Sequence, residues 1–176
     1  MKQPLVPAID PETPLRSQVM PSDWLRVETE IEIEQPQQVV FDYVTTPALW
    51  STWHPATVEV REVPCRPLTT GETILERIAV AGRHDEAQWI VQNCVPPQRW
   101  EISTATRQGR AHITYQLFPT RAGCRFRRTL EFRSERWPWR WLDSTLTYWI
   151  LKRQSAKALQ NLRQILAASG DRAVPL

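Results

Sequence analysis

The sequence predicts an α+β domain: a seven-stranded antiparallel sheet curled around one long C-terminal helix, with two short helices after the first strand. Three observations carry this expectation. Residues 27–34 alternate Val27, Thr29, Ile31 and Ile33 with Glu28, Glu30, Glu32 and Glu34, the period of two of a half-buried strand. Between residues 57 and 132, strand-like runs are separated only by short turns, so successive strands must be neighbours and antiparallel. From Trp139 to Ala168 the chain has no Pro or Gly. About 30 helical residues make a rod roughly 45 Å long.

Each element follows from local chemistry. Pro4, Pro7, Pro11, Pro14 and Pro21 fix φ and remove donors, so residues 1–23 read as an extended or disordered arm. Pro36 sits where a helix can begin, and Val39, Val40, Phe41 and Val44 have helical spacing. Thr46 and Pro47 open a second short helix through Leu49, Trp50 and Trp53, which His54 and Pro55 stop. Strands are expected over 57–63, 72–81, 84–95, 99–106, 111–118 and 124–132. They are punctuated by Gly82 with Arg83, Pro96 with Pro97, Gln108 with Gly109, and Ala122 with Gly123. Pro138 suits the first turn of the long helix, and Ser169 with Gly170 closes it. Leu142, Leu146 and Trp149 mark its apolar stripe in the first half, and Leu159, Leu162 and Leu166 in the second. The domain is expected over 24–169, with a tail at 170–176.

Composition limits what such a domain can be. At 176 residues, 41% hydrophobic and 23% charged, the chain can bury a core without disulfides or metal. Cys65, Cys94 and Cys124 are odd in number and far apart, against a disulfide framework or a zinc site. No apolar run approaches the ~20 residues of a membrane span. The first fourteen residues lack a signal-peptide core, so a soluble, cytoplasmic protein is expected. The net charge of +3 is unevenly spread. Residues 1–120 carry ten basic and fifteen acidic side chains; residues 121–163 carry eleven basic and three acidic. That cationic end and its aromatics suit nucleic acid in kind, but four outward glutamates on the first strand would repel phosphates, so no nucleic-acid partner is expected.

This order of elements resembles the START-like, helix-grip superfamily, which includes polyketide cyclases/dehydrases, lipid-transfer START domains and the birch-pollen-allergen group. The residues that carry the resemblance are the 27–36 strand, Val39 to Val44, and Ala48, Leu49, Trp50, Ser51, Thr52, Trp53, His54 and Pro55. Gly71 with Glu72 at the third strand and the long terminal helix also fit. The likeness covers about residues 26–168. It implies a helix-grip fold with a ligand cavity between sheet and helix. The superfamily has no universal catalytic motif, so it leaves the chemistry open.

Strand alternation assigns the inward faces. The third strand presents Ile74, Glu76, Ile78 and Val80; the fourth Ala87, Trp89, Val91 and Asn93; the fifth Trp100, Ile102 and Thr104. The sixth presents Ala111, Ile113, Tyr115 and Leu117, and the last Cys124, Phe126, Arg128, Leu130 and Phe132. A slip of one residue or a bulge inverts any one of these sets. Glu76 and Arg128 are charges on otherwise apolar faces. They read either as polar anchors for a ligand carboxylate or carbonyl, or as an internal salt bridge or strand-end charges. Tyr115 can donate within an apolar pocket, or bond a backbone partner. His54 can act as acid or base at the cavity mouth, or serve as a cap or surface residue. His54, His84 and His112 lie in separate segments without metal-ligand spacing, and neither a metal nor a cofactor is expected. Phosphate-loop and nucleophile-elbow motifs are absent from the sequence.

Trp137, Trp139 and Trp141 alternate with Arg136, Pro138 and Arg140 just before the helix. This 133–141 segment reads as a staple for the helix, a gate over the cavity or a contact with a membrane surface. On the helix, Trp141, Thr145, Tyr148, Trp149 and Lys152 are candidates to line the cavity, with Thr145 and Trp149 one turn apart and both expected to face the sheet. The expected ligand-binding set is Trp53, Glu76, Trp89, Trp100, Tyr115, Arg128, Trp141, Thr145 and Trp149. The candidates for catalysis are Glu76, Tyr115, Arg128 and His54. Three functions are consistent with these residues: binding of a hydrophobic or aromatic small molecule such as a lipid, polyketide-like or quinone-like compound; a polyketide cyclase or dehydratase in the same cavity; or peripheral membrane or partner binding through 133–141. The oligomeric state is not legible from sequence.

Overall fold

The computed structural model describes residues 24–80, 83–106, 109–134 and 143–170. The arm expected at 1–23, Trp137, Trp139 and Trp141, and the tail beyond 170 lie outside these residues. In chain order the elements are β1 (Leu25–Ile33), α1 (Gln37–Val44), a 3-10 turn (Pro47–Leu49), α2 (Trp50–Trp53), β2 (Thr57–Arg61), β3 (Thr73–Val80), β4 (Arg83–Val95), β5 (Arg99–Thr106), β6 (Gly109–Thr120), β7 (Gly123–Ser134) and α3 (Asp143–Gly170). The seven strands form one antiparallel sheet in the order β1, β7, β6, β5, β4, β3, β2. This is the curled sheet and long helix of the helix-grip fold.

Local chemistry explains the turn from β1 into the short helices. Pro36 caps α1 and its carbonyl accepts from Val40 N. At the other end, the Thr45 and Thr46 hydroxyls donate to the carbonyls of Phe41 and Asp42, which ends the helix. The Trp50 indole donates to Val44 O at 2.9 Å, tying α2 to α1. Gly123 opens β7 with φ +151°, and a Cβ there would collide with the backbone of Ile33, Glu34 and Gln35. That close approach seats the β6–β7 turn against the end of β1.

Burial follows the expected strand alternation except at one bulge in β4; the outer face of β1 and the first half of α3 also differ from expectation. A register shift between Val91 and Asn93 turns Asn93 outward, where it donates to Glu101, and brings Cys94 against the core opposite Trp100. The acidic face of β1 is not merely solvated: its register sets Glu30 beside Arg127, which donates to it at 2.8 Å, and Glu28 and Arg125 extend the ladder. The face is therefore of mixed charge. On α3 the second-half stripe holds, with Ala158, Leu159, Leu162 and Leu166 buried. The first half does not: Leu146 is 62% exposed and Trp149 59% exposed, while Tyr148 and Leu151 turn toward the core. The Lys152 ammonium lies over both the Tyr148 and Trp149 rings.

Candidate functional site

The inward face of the sheet brings four polar side chains into an aromatic core. Glu76 on β3 is 5% exposed and stands between β2 and β4. The Thr57 hydroxyl donates to its Oε1 and the Trp89 indole to its Oε2 at 2.8 Å. Burial pushes the carboxyl up from its ordinary value, against those two hydrogen bonds and the more distant charge of Arg128. Tyr115 and Arg128 face each other directly across β6 and β7. Burial raises the Tyr115 hydroxyl pKa, and the Arg128 guanidinium opposes that rise by its charge and by hydrogen bonding to the hydroxyl. The Tyr115 ring stacks on Trp100 at 5.5 Å and meets Phe126 edge-on at 5.2 Å.

Arg128 is 4% exposed. Its Nη1 donates to Ser155 Oγ on α3 at 2.9 Å, so it joins the last strand to the last helix. Its Nε is buried with no partner. Among the described residues no carboxylate pairs with it, so the internal Glu76–Arg128 salt bridge considered from sequence does not form.

His54 follows α2, its ring edge-on to Trp53 at 5.5 Å. Neither ring nitrogen has a hydrogen-bond partner, and both are buried; the Trp53 indole N–H shares that condition. Burial first, and the Arg128 charge second, hold the His54 pKa well below 6.5, so the imidazole is neutral at pH 7. His54 is the C-cap of α2, its backbone N–H donating to Trp50 O at 2.8 Å, and it is half-buried with both ring nitrogens turned inward. The Trp53 ring also reaches Tyr115, at 6.5 Å. One neighbourhood therefore holds two unengaged N–H donors, Trp53 Nε1 and Arg128 Nε, and an imidazole able to donate on one side and accept on the other.

The remaining expected site residues divide clearly. Trp89 is engaged by Glu76. Trp100 is fully buried, donates to Leu68 O at 2.9 Å and meets Trp50 edge-on, which makes it part of the core wall. Trp149, expected to face the sheet, lies on the outward side of α3, because Tyr148 and Leu151 occupy the inward positions of those turns. Trp141 and the Thr145 side chain lie outside the described residues. Thr57 and Ser155 were not singled out from sequence. Ser155 had a signal: it sits one turn from both Leu151 and Leu159, a polar residue in an apolar stripe. Among the described residues, no three His, Cys, Asp or Glu side chains gather as metal ligands would. Among them, no helix is long and apolar enough to cross a membrane.

Comparison with known proteins gives a consistent frame. A family described as "Polyketide cyclase / dehydrase and lipid transport" matches residues 25–167. Penitrem biosynthesis cluster 1 protein I of Penicillium ochrochloron is 35% identical over 79 residues, which is 44% of this chain and 52% of that protein. The match thus spans about half the length of that curated relative. Among solved structures, the Zhui aromatase/cyclase from Streptomyces sp. R1128 superposes with a TM-score of 0.70 at 12% identity, covering 82% of this chain and 94% of that one. Protein MLL2253 from Mesorhizobium loti gives 0.61 at 19% identity, covering 86% and 100%. At these identities the structural likeness speaks for the fold.

Proposed function

This chain belongs to the polyketide cyclase/dehydrase and lipid transport family, and from that premise we propose that it binds a hydrophobic or aromatic small molecule between the inward face of the sheet and α3. The observation that carries this reading is the unengaged polar set of Trp53, His54 and Arg128 in an aromatic interior. Buried polar groups are normally hydrogen-bonded, and each one left alone carries a desolvation penalty of about 1–3 kcal/mol. Several together point to a resident partner. Trp53, Tyr115 and Phe126 would supply apolar contact, and the three polar side chains would set orientation. Native mass spectrometry of the purified chain tests the reading. An adduct of small-molecule mass, released by organic extraction, supports it. A bare chain that also fails to enhance the fluorescence of N-phenyl-1-naphthylamine contradicts it.

One observation favours a second reading, turnover of the cyclase or dehydratase type: His54 is a neutral imidazole with both nitrogens unengaged. It could take a proton from carbon next to a carbonyl, while Arg128 and the Tyr115 hydroxyl stabilise the oxygen on which charge develops. Deuterium wash-in to a 1,3-diketone probe reads this out. Exchange above buffer that disappears in His54→Gln supports turnover; exchange no faster than buffer leaves the chain a binder. A peripheral-membrane role draws support only from the exposure of Leu146 and Trp149 beside Lys152.

A further inference from the structure

Arg128 sets the charge of what this interior can accept. A guanidinium removed from water needs a counter-charge or a full set of acceptors. Here the guanidinium has only neutral partners, Ser155 Oγ on Nη1 and the Tyr115 hydroxyl beside it, and Nε reaches nothing. The neighbouring carboxyl does not supply that charge by contact: Glu76 accepts from Thr57 and Trp89, and the Arg128 charge reaches it only from a distance. The other unengaged donor, Trp53 Nε1, belongs to a ring packed against His54 and Tyr115, and Tyr115 in turn faces Arg128. The neighbourhood therefore combines one cation with no carboxylate in contact, spare N–H donors and aromatic walls.

We infer that the small molecule taken up here carries an anionic oxygen group, a carboxylate or comparable oxyanion, seated against Arg128 with its apolar body among Trp53, Tyr115 and Phe126. The inference rests on the small-molecule reading above and adds the charge and placement of the head group. A carboxylate presents about four acceptor directions, enough for Arg128 Nε, Trp53 Nε1 and a protonated nitrogen of His54. A ligand of the same skeleton bearing a hydroxyl offers fewer acceptors and leaves the guanidinium uncompensated. The site should therefore discriminate between the two, whereas an apolar cleft would prefer the less hydrated alcohol.

The experiment displaces the neutral dye N-phenyl-1-naphthylamine from the full chain at pH 7.5 with decanoate or with 1-decanol. Decanoate is expected to half-displace the dye at a concentration at least tenfold below that of decanol. Arg128→Gln should remove that preference. Should that variant not fold, Trp53→Phe decides, because it deletes one donor and keeps an aromatic ring: it is expected to narrow the preference severalfold. Equal displacement by both probes, or a preference unchanged in the foldable variant, overturns the anionic head group while dye binding keeps the small-molecule reading intact. A chain that binds no dye overturns both.

Discussion

Arg128 on β7 donates its Nη1 to Ser155 Oγ on α3 at 2.9 Å, a buried bond between the strand next to β1 and the last helix. The hydroxyl is the protein partner α3 supplies to that charge, so its loss strands a donor on a cation. Ser155→Ala is expected to lower stability by about 1.5–3 kcal/mol in urea denaturation. A loss below about 0.5 kcal/mol would mean the charge is satisfied by some other route.

Two glycines separate close approach from backbone conformation. At Gly123 a Cβ meets the backbone of Ile33 and Gln35, whereas at Gly71, with φ +91°, nothing lies within 4 Å. Gly71→Ala should cost about 1–2 kcal/mol, the conformational penalty alone. Gly123→Ala should cost clearly more, by about 1 kcal/mol or above, because β1 must shift. Thermal melts of the two variants give the comparison.

The indoles of Trp53 and Trp100 are both fully buried but differ in bonding. Trp100 Nε1 serves Leu68 O, while Trp53 Nε1 serves no protein atom. In the unliganded chain, Trp100→Phe should cost about 1–2 kcal/mol more than Trp53→Phe, since only the former strands a carbonyl. Urea midpoints of the two variants, measured after organic extraction and refolding, check this.

The pH dependence of stability has a definite sign at His54. Its folded pKa is well below 6.5 while the unfolded chain keeps the ordinary value. Above about pH 6.5 both states are neutral and the group contributes no slope. As pH falls through that value the unfolded chain takes up a proton that the folded chain refuses, so stability falls. Glu76 acts in the opposite sense: its raised folded pKa gives stability that is lost as pH rises from its ordinary value toward the raised one. His54→Gln should abolish the loss just below pH 6.5 and leave the Glu76 contribution in place. Denaturation curves between pH 5 and 8 measure both.

The fold was legible because its punctuation is chemical: glycine and proline turns, the alternation of β1 and the uninterrupted terminal helix each admit few alternatives. Glu76, Tyr115 and Arg128 were legible as polar residues on inward faces, since a period of two assigns a face to every residue. Asn93 was not, because a bulge inserts one residue and inverts the faces beyond it without any marker in the chain. Trp149 misled for another reason. A helix that drifts across a curved sheet changes its inward side along its length, and Tyr148 and Leu151 compete for the same side with equally apolar surface. The partners of Arg128 depend on side-chain reach across elements far apart in sequence, which no local spacing encodes.

The nine tryptophans offer the most direct test of a ligand site at Trp53, through the indole N–H region of a ¹H–¹⁵N spectrum, with Trp53 assigned from Trp53→Phe. On titration with decanoate, the Trp53 indole should move saturably and downfield as its N–H gains an acceptor, while those of Trp50 and Trp100, bonded to Val44 O and Leu68 O, should stay in place. Shifts confined to the exposed Trp149 indole, or none at all at saturating decanoate, would contradict the account.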